Sequence, residues 1–202
     1  MNKSPKENHE RYEERANVYR GFGYDIEKER NFIIEKARPI REPVLEIGTG
    51  KGHMTIALAR EGLSFITLDI SEEEQGFARL NVAYLGLKKK VDFRIANAES
   101  LPFKEEYFQT VFLVNLVHHL DNPYKVVDEA MRVLSSGGKV ILGDFNKEGL
   151  RIVQEVHKSE GHFHEVGATG LSEIKQYLSD ERGVKVGEHK DRFQDILVAH
   201  KK

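Results

Sequence analysis

The residues that most constrain this chain run from Val44 to Ala59, Val-Leu-Glu-Ile-Gly-Thr-Gly-Lys-Gly-His-Met-Thr-Ile-Ala-Leu-Ala. The pattern predicts a buried strand over Val44 to Ile47, a turn carrying Gly48, Gly50 and Gly52, and a helix with an apolar face. Glycine lets the backbone turn sharply and approach a ligand with no Cβ in the way. The helix that follows turns its free N–H groups and positive dipole end back toward the glycines, which suits an anionic or polar group. Strand, turn and helix together form the first unit of a nucleotide-cofactor fold. The glycines stand at every second position, and His53 occupies the place where G-x-G-x-x-G needs its third glycine. That register disfavours a nicotinamide dinucleotide reductase. Glu46, two residues ahead of the first glycine, lies outside that fingerprint.

Composition narrows the field further. A chain of 202 residues suits one α/β domain with a full core. A formal net charge of −2 gives no basic excess of the kind that phosphate binding leaves, so no nucleic-acid partner is expected. Lys88, Lys89 and Lys90 form the one basic run of note, expected at a solvated helix end. Cysteine is absent, which removes disulfides, thiolate metal sites and a cysteine nucleophile. No apolar run approaches the ~20 residues of a membrane span, and the polar stretch from Met1 to Glu14 does not read as a secretory signal. A cytoplasmic location is the expectation.

Along the chain, residues from about Glu7 to Arg38 predict two helical pieces broken near Gly21 and Gly23, closed by Pro39 and Pro43. They are read as an N-terminal helical cap over residues 1–42, ahead of a single globular unit over residues 43–202. The cap either covers a sheet edge or acts as a lid with Tyr12, Tyr19 and Tyr24 facing a ligand. Leu63 to Leu68 predicts a second strand ending in Asp69, where an α/β fold holds ribose because a carboxylate accepts both hydroxyl protons. Asp69 is alternatively a helix cap, although Ser71 with Glu74 can serve that purpose alone. A helix over Glu72 to Leu87, a strand over Val91 to Ala96 and the loop Asn97 to Phe103 follow. A fourth strand over Thr110 to Asn115 leads into Leu116-Val117-His118-His119-Leu120. His118 or His119 at this edge is suited to proton removal, or else one of them packs or caps the helix beginning near Asp121. A helix over Tyr124 to Leu134 and a strand over Lys139 to Leu142 lead to Asp144, which either contacts an acceptor or caps the next helix. His157, His162, His164, Glu160 and Glu165 fall within nine residues, in a spacing that matches no specific metal motif. A metal ligand set, an acceptor-binding loop and a solvated polar loop all remain open there. The chain closes with helices over Leu150 to Lys158 and Ser172 to Asp180 and strands over Gly183 to Glu188 and Asp195 to His200.

Three of these segments carry a family resemblance. Glu46-x-Gly48-x-Gly50-x-Gly52 resembles the signature of the class I S-adenosylmethionine (SAM) methyltransferases. Asn97-Ala-Glu-Ser-Leu-Pro-Phe103 is similar to the Asp-Ala-Glu-x-Leu-Pro-Phe loop of the ubiquinone and menaquinone biosynthesis (methyltransferase type 11) group, with asparagine where aspartate is usual. Arg132 to Gly138 is similar to that group's Arg-x-Leu-Lys-Pro-Gly-Gly turn, and Phe108-Gln109 departs from its usual Phe-Asp. The resemblance covers most of Val44 to Asp144. It implies a Rossmann-like α/β fold with a seven-stranded, mainly parallel sheet, helices on both faces and an N-terminal helical cap. It implies SAM as cofactor and S-adenosylhomocysteine as product. Glu46, Gly48, Gly50 and Gly52 would hold the methionine end, with Asn115 at the same edge. Asp69 would hold the ribose and Ile70 the adenine face, and Asn97, Ala98 and Glu99 the adenine edge. The activity implied is methyl transfer to a small-molecule acceptor, with His118 or His119, then His162 and His164, as catalytic candidates. The alternative is a SAM-binding regulatory protein or pseudo-enzyme.

Overall fold

The computed structural model describes residues 4–161 and 166–202. His162 and His164, two of the catalytic candidates, therefore lie outside the described residues. The first helix, α1 (Pro5–Gly21), opens on a reciprocal cap between Ser4 and Glu7 and ends at a glycine turn, where Gly23 takes φ +87°. Asp25 caps α2 (Ile26–Ala37) through Lys28 N–H at 3.1 Å. The α/β units then follow: β1 (Val44–Ile47), α3 (His53–Arg60), β2 (Phe65–Asp69), α4 (Glu72–Tyr84), β3 (Val91–Ile95), β4 (Phe108–Val114), α5 (Pro123–Val133) and β5 (Leu134–Phe145). After α6 (Lys147–Ser159) and α7 (Leu171–Gln176), the hairpin of β6 (Lys185–Lys190) and β7 (Gln194–His200) completes the sheet.

The seven strands lie in the order β3-β2-β1-β4-β5-β7-β6. Strands β1 to β5 pair in parallel, and β7 runs against its neighbours β5 and β6. β1 and β4 are buried along almost their whole length, as strands covered on both faces must be. One face packs Leu45, Ile47, Leu113 and Leu142 against Val126, Val127, Ala130 and Val133 of α5 and Ile174 of α7. The other packs Val44, Phe112, Ile141 and Ile196 against Ile33, Ile34 and Ala37 of α2 and Met54 and Leu58 of α3. A third cluster joins Tyr19 and Tyr24 of the α1–α2 region to Ile152, Val153 and Val156 of α6. The strand order reverses between β1 and β4, and the carboxyl ends there form the crevice where α/β sheets bind ligands.

Three local expectations are corrected. The fifth strand begins at Leu134, directly after α5, rather than at Lys139. The pairing jumps from Phe108↔Leu134 to Thr110↔Lys139, so residues 135–138 bulge opposite Gln109. Gly138 is required there, because a Cβ would lie 2.9 Å from the Gln109 and Ser135 carbonyl oxygens. The last helix stops at Gln176 and continues as a widened π turn over Tyr177–Glu181. Lys88–Lys90 form a separate 3-10 turn, with Lys90 Nζ donating to the Gly62 carbonyl at 2.7 Å. Among the described residues, no helix is long and apolar enough to cross a membrane.

Gly149 in α6 supplies the first testable consequence of this packing. A Cβ there would overlap the Phe193 carbonyl oxygen and press on the Phe145 ring at 3.0 Å. Gly149→Ala is therefore expected to lower stability by about 1–3 kcal/mol despite alanine's better helix propensity. A guanidinium unfolding midpoint equal to or above that of the parent protein contradicts this packing.

Candidate functional site

The site begins at the glycine turn. Gly48, Gly50 and Gly52 all adopt left-handed φ values, +89°, +48° and +90°. Each has a different neighbour. A Cβ on Gly48 would press on Leu116 at 3.1 Å, and one on Gly52 would meet the Ala78 Cβ at 2.9 Å. Gly50 faces open space within 4 Å. The Gly48 and Thr49 N–H groups donate to the Leu68 carbonyl at 2.9 and 3.1 Å, which fastens the turn to β2. Gly50 N–H donates to Asp69 Oδ2 at 2.8 Å, and Ser71 N–H donates to Asp69 Oδ1 at 2.9 Å. Asp69 thus holds the turn and the entry of α4 in place, while Ser71 Oγ caps α4 through Glu74 N–H at 3.2 Å. A carboxylate has about four acceptor positions, so Asp69 keeps capacity for a diol.

Glu46 lies behind the turn and does not line the cavity described below. It is fully buried, and its Oε2 accepts from Thr55 Oγ1 at 2.7 Å. Burial pushes its pKa up to about 7. It braces β1 against the first turn of α3. His53, the residue in the third-glycine position, bonds through Nδ1 to Tyr12 OH at 2.9 Å, with the two rings 4.6 Å apart. Burial, followed by the charge of Arg30, holds the His53 pKa down to about 3.

Next to the turn lies a cavity of about 460 Å³, within the size range of small-ligand sites. Gly48 to Lys51 form one wall, with His53 and Met54 from the first turn of α3. Val114, Asn115, His118 and His119 from the end of β4 form another. α1, α2 and the turn between them contribute Arg15, Tyr19, Tyr24 and Arg30, and α6 contributes Val153 and His157. Tyr19 and Tyr24 thus face the cavity as a lid would require, whereas Tyr12 lines an adjoining groove against α4. Asn115 is strained into φ +51°, its N–H donates to the Gly143 carbonyl at 2.7 Å, and its Oδ1 is buried without a hydrogen-bond partner.

His118 and His119 separate clearly. His118 is buried, its Nδ1 lies 2.5 Å from Asp144 Oδ1, and its backbone N–H donates to Asp144 Oδ2 at 3.1 Å. With Asp144 ionised, Nδ1 carries the hydrogen and the lone pair sits on Nε2. Asp144 therefore orients His118 rather than capping the next helix, a task that Asn146 performs through Glu148 and Gly149 N–H. His119 is more exposed, with its ring 4.0 Å from that of His118, and desolvation together with that neighbour lowers its pKa. His157 lies beside Arg15, whose Nη2 is 3.3 Å from His157 Nε2 and 3.0 Å from Glu160 Oε2. Among the described residues, no group of three His, Cys, Asp or Glu is placed to hold a metal ion.

One contributor was not singled out in the sequence. Arg30 is 6% exposed; Nη1 donates to Tyr24 OH at 3.3 Å, and Nε is buried with no hydrogen-bond partner. Among the described residues it forms no ion pair. The signal was present: Ile26, Arg30, Ile33 and Ala37 follow helical spacing, which places an arginine on the apolar stripe of α2. A buried guanidinium of this kind is suited to an anionic group. On the far side of the turn, Ile70 is 71% exposed beside Asp69. Asn97 is exposed, with Oδ1 accepting from Glu99 N–H at 2.9 Å, and Glu99 pairs with Lys125 at 3.2 Å.

Comparison with known proteins decides the family. A methyltransferase domain model matches residues 45–142. A rickettsial (Rickettsia typhi) ubiquinone/menaquinone biosynthesis C-methyltransferase is 28% identical over 64% of this chain and 54% of its own length. Residues 45–142 belong to the class I SAM-dependent methyltransferase family. An uncharacterized protein of Methanocaldococcus jannaschii is 33% identical over 67% of this chain and 62% of its own length. The 27-O-demethylrifamycin SV methyltransferase of Amycolatopsis mediterranei is 32% identical over 53% of this chain and 40% of its own. The chain spans about half the length of the curated relatives it matches. A putative SAM-dependent methyltransferase from Methanococcus maripaludis shares the fold, with a TM-score of 0.73 at 18% identity over 100% of this chain and 96% of that one. SAM is the cofactor of the family, and the residues present fit it. The buried Arg30 guanidinium, the unpartnered Asn115 oxygen and the exposed Ile70 match a carboxylate, an amine and a purine face.

Proposed function

We propose that the chain transfers a methyl group from SAM to a hydroxyl of a small-molecule acceptor, with residues 1–42 serving as a cap over the site. The observation that carries this reading is the buried His118–Asp144 pair on the wall of the cavity that also holds the glycine turn. A SAM-binding regulatory protein would have no use for an oriented imidazole at that position. Arg30 would meet the cofactor's carboxylate and Asn115 its amine, with Gly48 and Gly50 beside them. Asp69 would take the ribose diol, and Ile70, Asn97, Ala98 and Glu99 the base.

When bound, SAM supplies a methyl group on a sulfonium, open to in-line displacement. The chain's own residues do the rest. Asp144 holds the Nδ1–H of His118, which makes Nε2 the basic nitrogen, and Nε2 would take the hydroxyl proton as the oxygen attacks the methyl carbon. Tyr19, Tyr24 and Phe145 exclude water and confine the acceptor. A cytoplasmic small molecule is favoured over a nucleic acid by the net charge of −2.

A methyl-transfer screen over small phenols and alcohols, following S-adenosylhomocysteine release, tests the reading. Tight thioether binding with no turnover on any acceptor favours the regulatory alternative. Asp69→Ala is expected to weaken SAM binding by about 1–3 kcal/mol, since it also frees the Gly50 and Ser71 N–H groups. Calorimetry that returns the parental affinity removes Asp69 from the site.

A further inference from the structure

We infer that the methyl acceptor carries an anionic group, a carboxylate or a phosphate, at the end away from its hydroxyl, and that Arg11 and Arg15 hold this group in the groove between α1 and α4. This rests on the methyl-transfer reading above. The groove is a second space of about 420 Å³ beside the cavity of the glycine turn. The two spaces share Arg15, Lys51 and His53. An acceptor whose hydroxyl meets His118 in the first therefore has room to extend past Arg15 into the second.

A helix docked on a domain normally turns an apolar stripe inward. α1 does not, since it buries only Asn8 and Tyr19. Asn8, Arg11 and Arg15 share one helical face by their spacing, and all three line the groove. Asn8 anchors that face to α4, its Nδ2 donating to Asn81 Oδ1 at 2.9 Å and to the Phe77 carbonyl at 3.0 Å. These bonds fix where the two arginines stand without neutralising either. The acids lining the groove are Glu14 and Glu160. Glu160 Oε2 pairs with Arg15 Nη2 at 3.0 Å, and Lys51 stands 3.9 Å from Glu74. Among the described residues Arg11 forms no ion pair. A guanidinium has five N–H donors, so Arg15 can hold Glu160 and a ligand anion together. An anion beside Arg11 and Arg15 gains charge-assisted bonds, whereas a neutral end gains none. Tyr12 and Phe77 supply apolar wall for the part of the acceptor that joins its two ends.

The test is calorimetry of the whole protein saturated with S-adenosylhomocysteine. The probes are para-hydroxyphenyl alkanoates of graded chain length, the phosphate monoesters of matched length and the neutral methyl esters. At least one anionic series should bind more tightly than the esters by about tenfold, the worth of a charge-assisted contact. The ranking of carboxylate against phosphate then identifies the group. Arg11→Gln should remove most of the preference and Arg11→Lys should retain part of it. Both variants should bind S-adenosylhomocysteine with parental affinity, because Arg11 lines the groove and not the cavity. Esters that bind as tightly as both anionic series, no binding by any probe, or a preference that Arg11→Gln leaves unchanged overturns the inference. A preference that Arg11→Gln abolishes, with no methyl transfer from SAM to any probe, assigns the groove to an anion and removes the hydroxyl-transfer reading. Failure of S-adenosylhomocysteine to bind overturns the cofactor reading itself.

Discussion

Methyl transfer by His118→Ala is expected to fall by about 10²- to 10⁴-fold, the contribution of a positioned general base, while S-adenosylhomocysteine binds with unchanged affinity. The argument rests on separation of tasks. His118 follows β4, buried against Asp144, and apart from Asn115 on the same wall the residues proposed for SAM sit on the glycine turn, α2 and the end of β2. Removal of the imidazole therefore costs rate without cofactor affinity. Asp144→Asn should cost nearly as much, because an amide can donate to Nδ1 and stabilise the tautomer with the lone pair on the wrong nitrogen. Its rate should recover in part as pH rises, since a larger fraction of the acceptor hydroxyl is then already ionised and needs no base. His119→Ala, whose ring is more exposed and whose pKa is lowered chiefly by desolvation, should lose much less. Equal losses at the two histidines would remove the Asp144 pairing as the basis of the mechanism. A loss confined to acceptor KM would recast His118 as an acceptor-binding residue.

The glycine turn was legible because its chemistry is local: Gly48, Gly50 and Gly52 all hold backbone angles that side-chain-bearing residues avoid. The order of strands and helices was legible for a similar reason, since apolar runs such as Thr110 to Val114 have to be buried. What could not be read depends on partners distant in sequence. His118 and His119 are adjacent, and the short turn over Val117–His119 sends one inward to an aspartate 26 residues away on the neighbouring strand. Nothing in either histidine's own surroundings reports that pairing. Glu46 is part of the glycine signature, yet its carboxylate turns away from the cavity toward Thr55, a relation set by the packing of α3 on β1. The start of β5 was missed because the bulge at residues 135–138 is defined by what Gln109 does across the sheet. Arg30 is the instructive omission, since a charged residue on a buried helical stripe was visible and signals an internal demand for charge.

His53 and Glu46 should give the protein a stability plateau in mildly acid solution that conceals two opposing slopes. The His53 pKa falls from 6.5 to about 3 on folding, so its contribution is fully present above pH 6.5 and is lost as pH drops toward 3. The 3.5-unit difference corresponds to about 5 kcal/mol at most. The ring keeps a partly exposed edge, which reduces the realised figure to a few kcal/mol. Glu46 has the opposite sign. Its pKa rises from 4.5 to about 7, so its contribution is present below pH 4.5 and is lost as pH climbs through 7, by about 3 kcal/mol. Between pH 4.5 and 6.5 the unfolded chain protonates at His53 and the folded chain at Glu46, and the two slopes of up to about 1.4 kcal/mol per pH unit offset each other. Glu46→Gln should remove one slope, leaving stability that rises with pH across this window relative to the parent protein. His53→Gln, which retains a polar partner for Tyr12 OH, should leave stability that falls across it. Urea midpoints of the three proteins at half-unit intervals from pH 4 to 8 measure the differences. Parallel curves for parent and variants would mean that neither group changes its proton affinity on folding, and the burial of Glu46 beneath the glycine turn would then need another explanation.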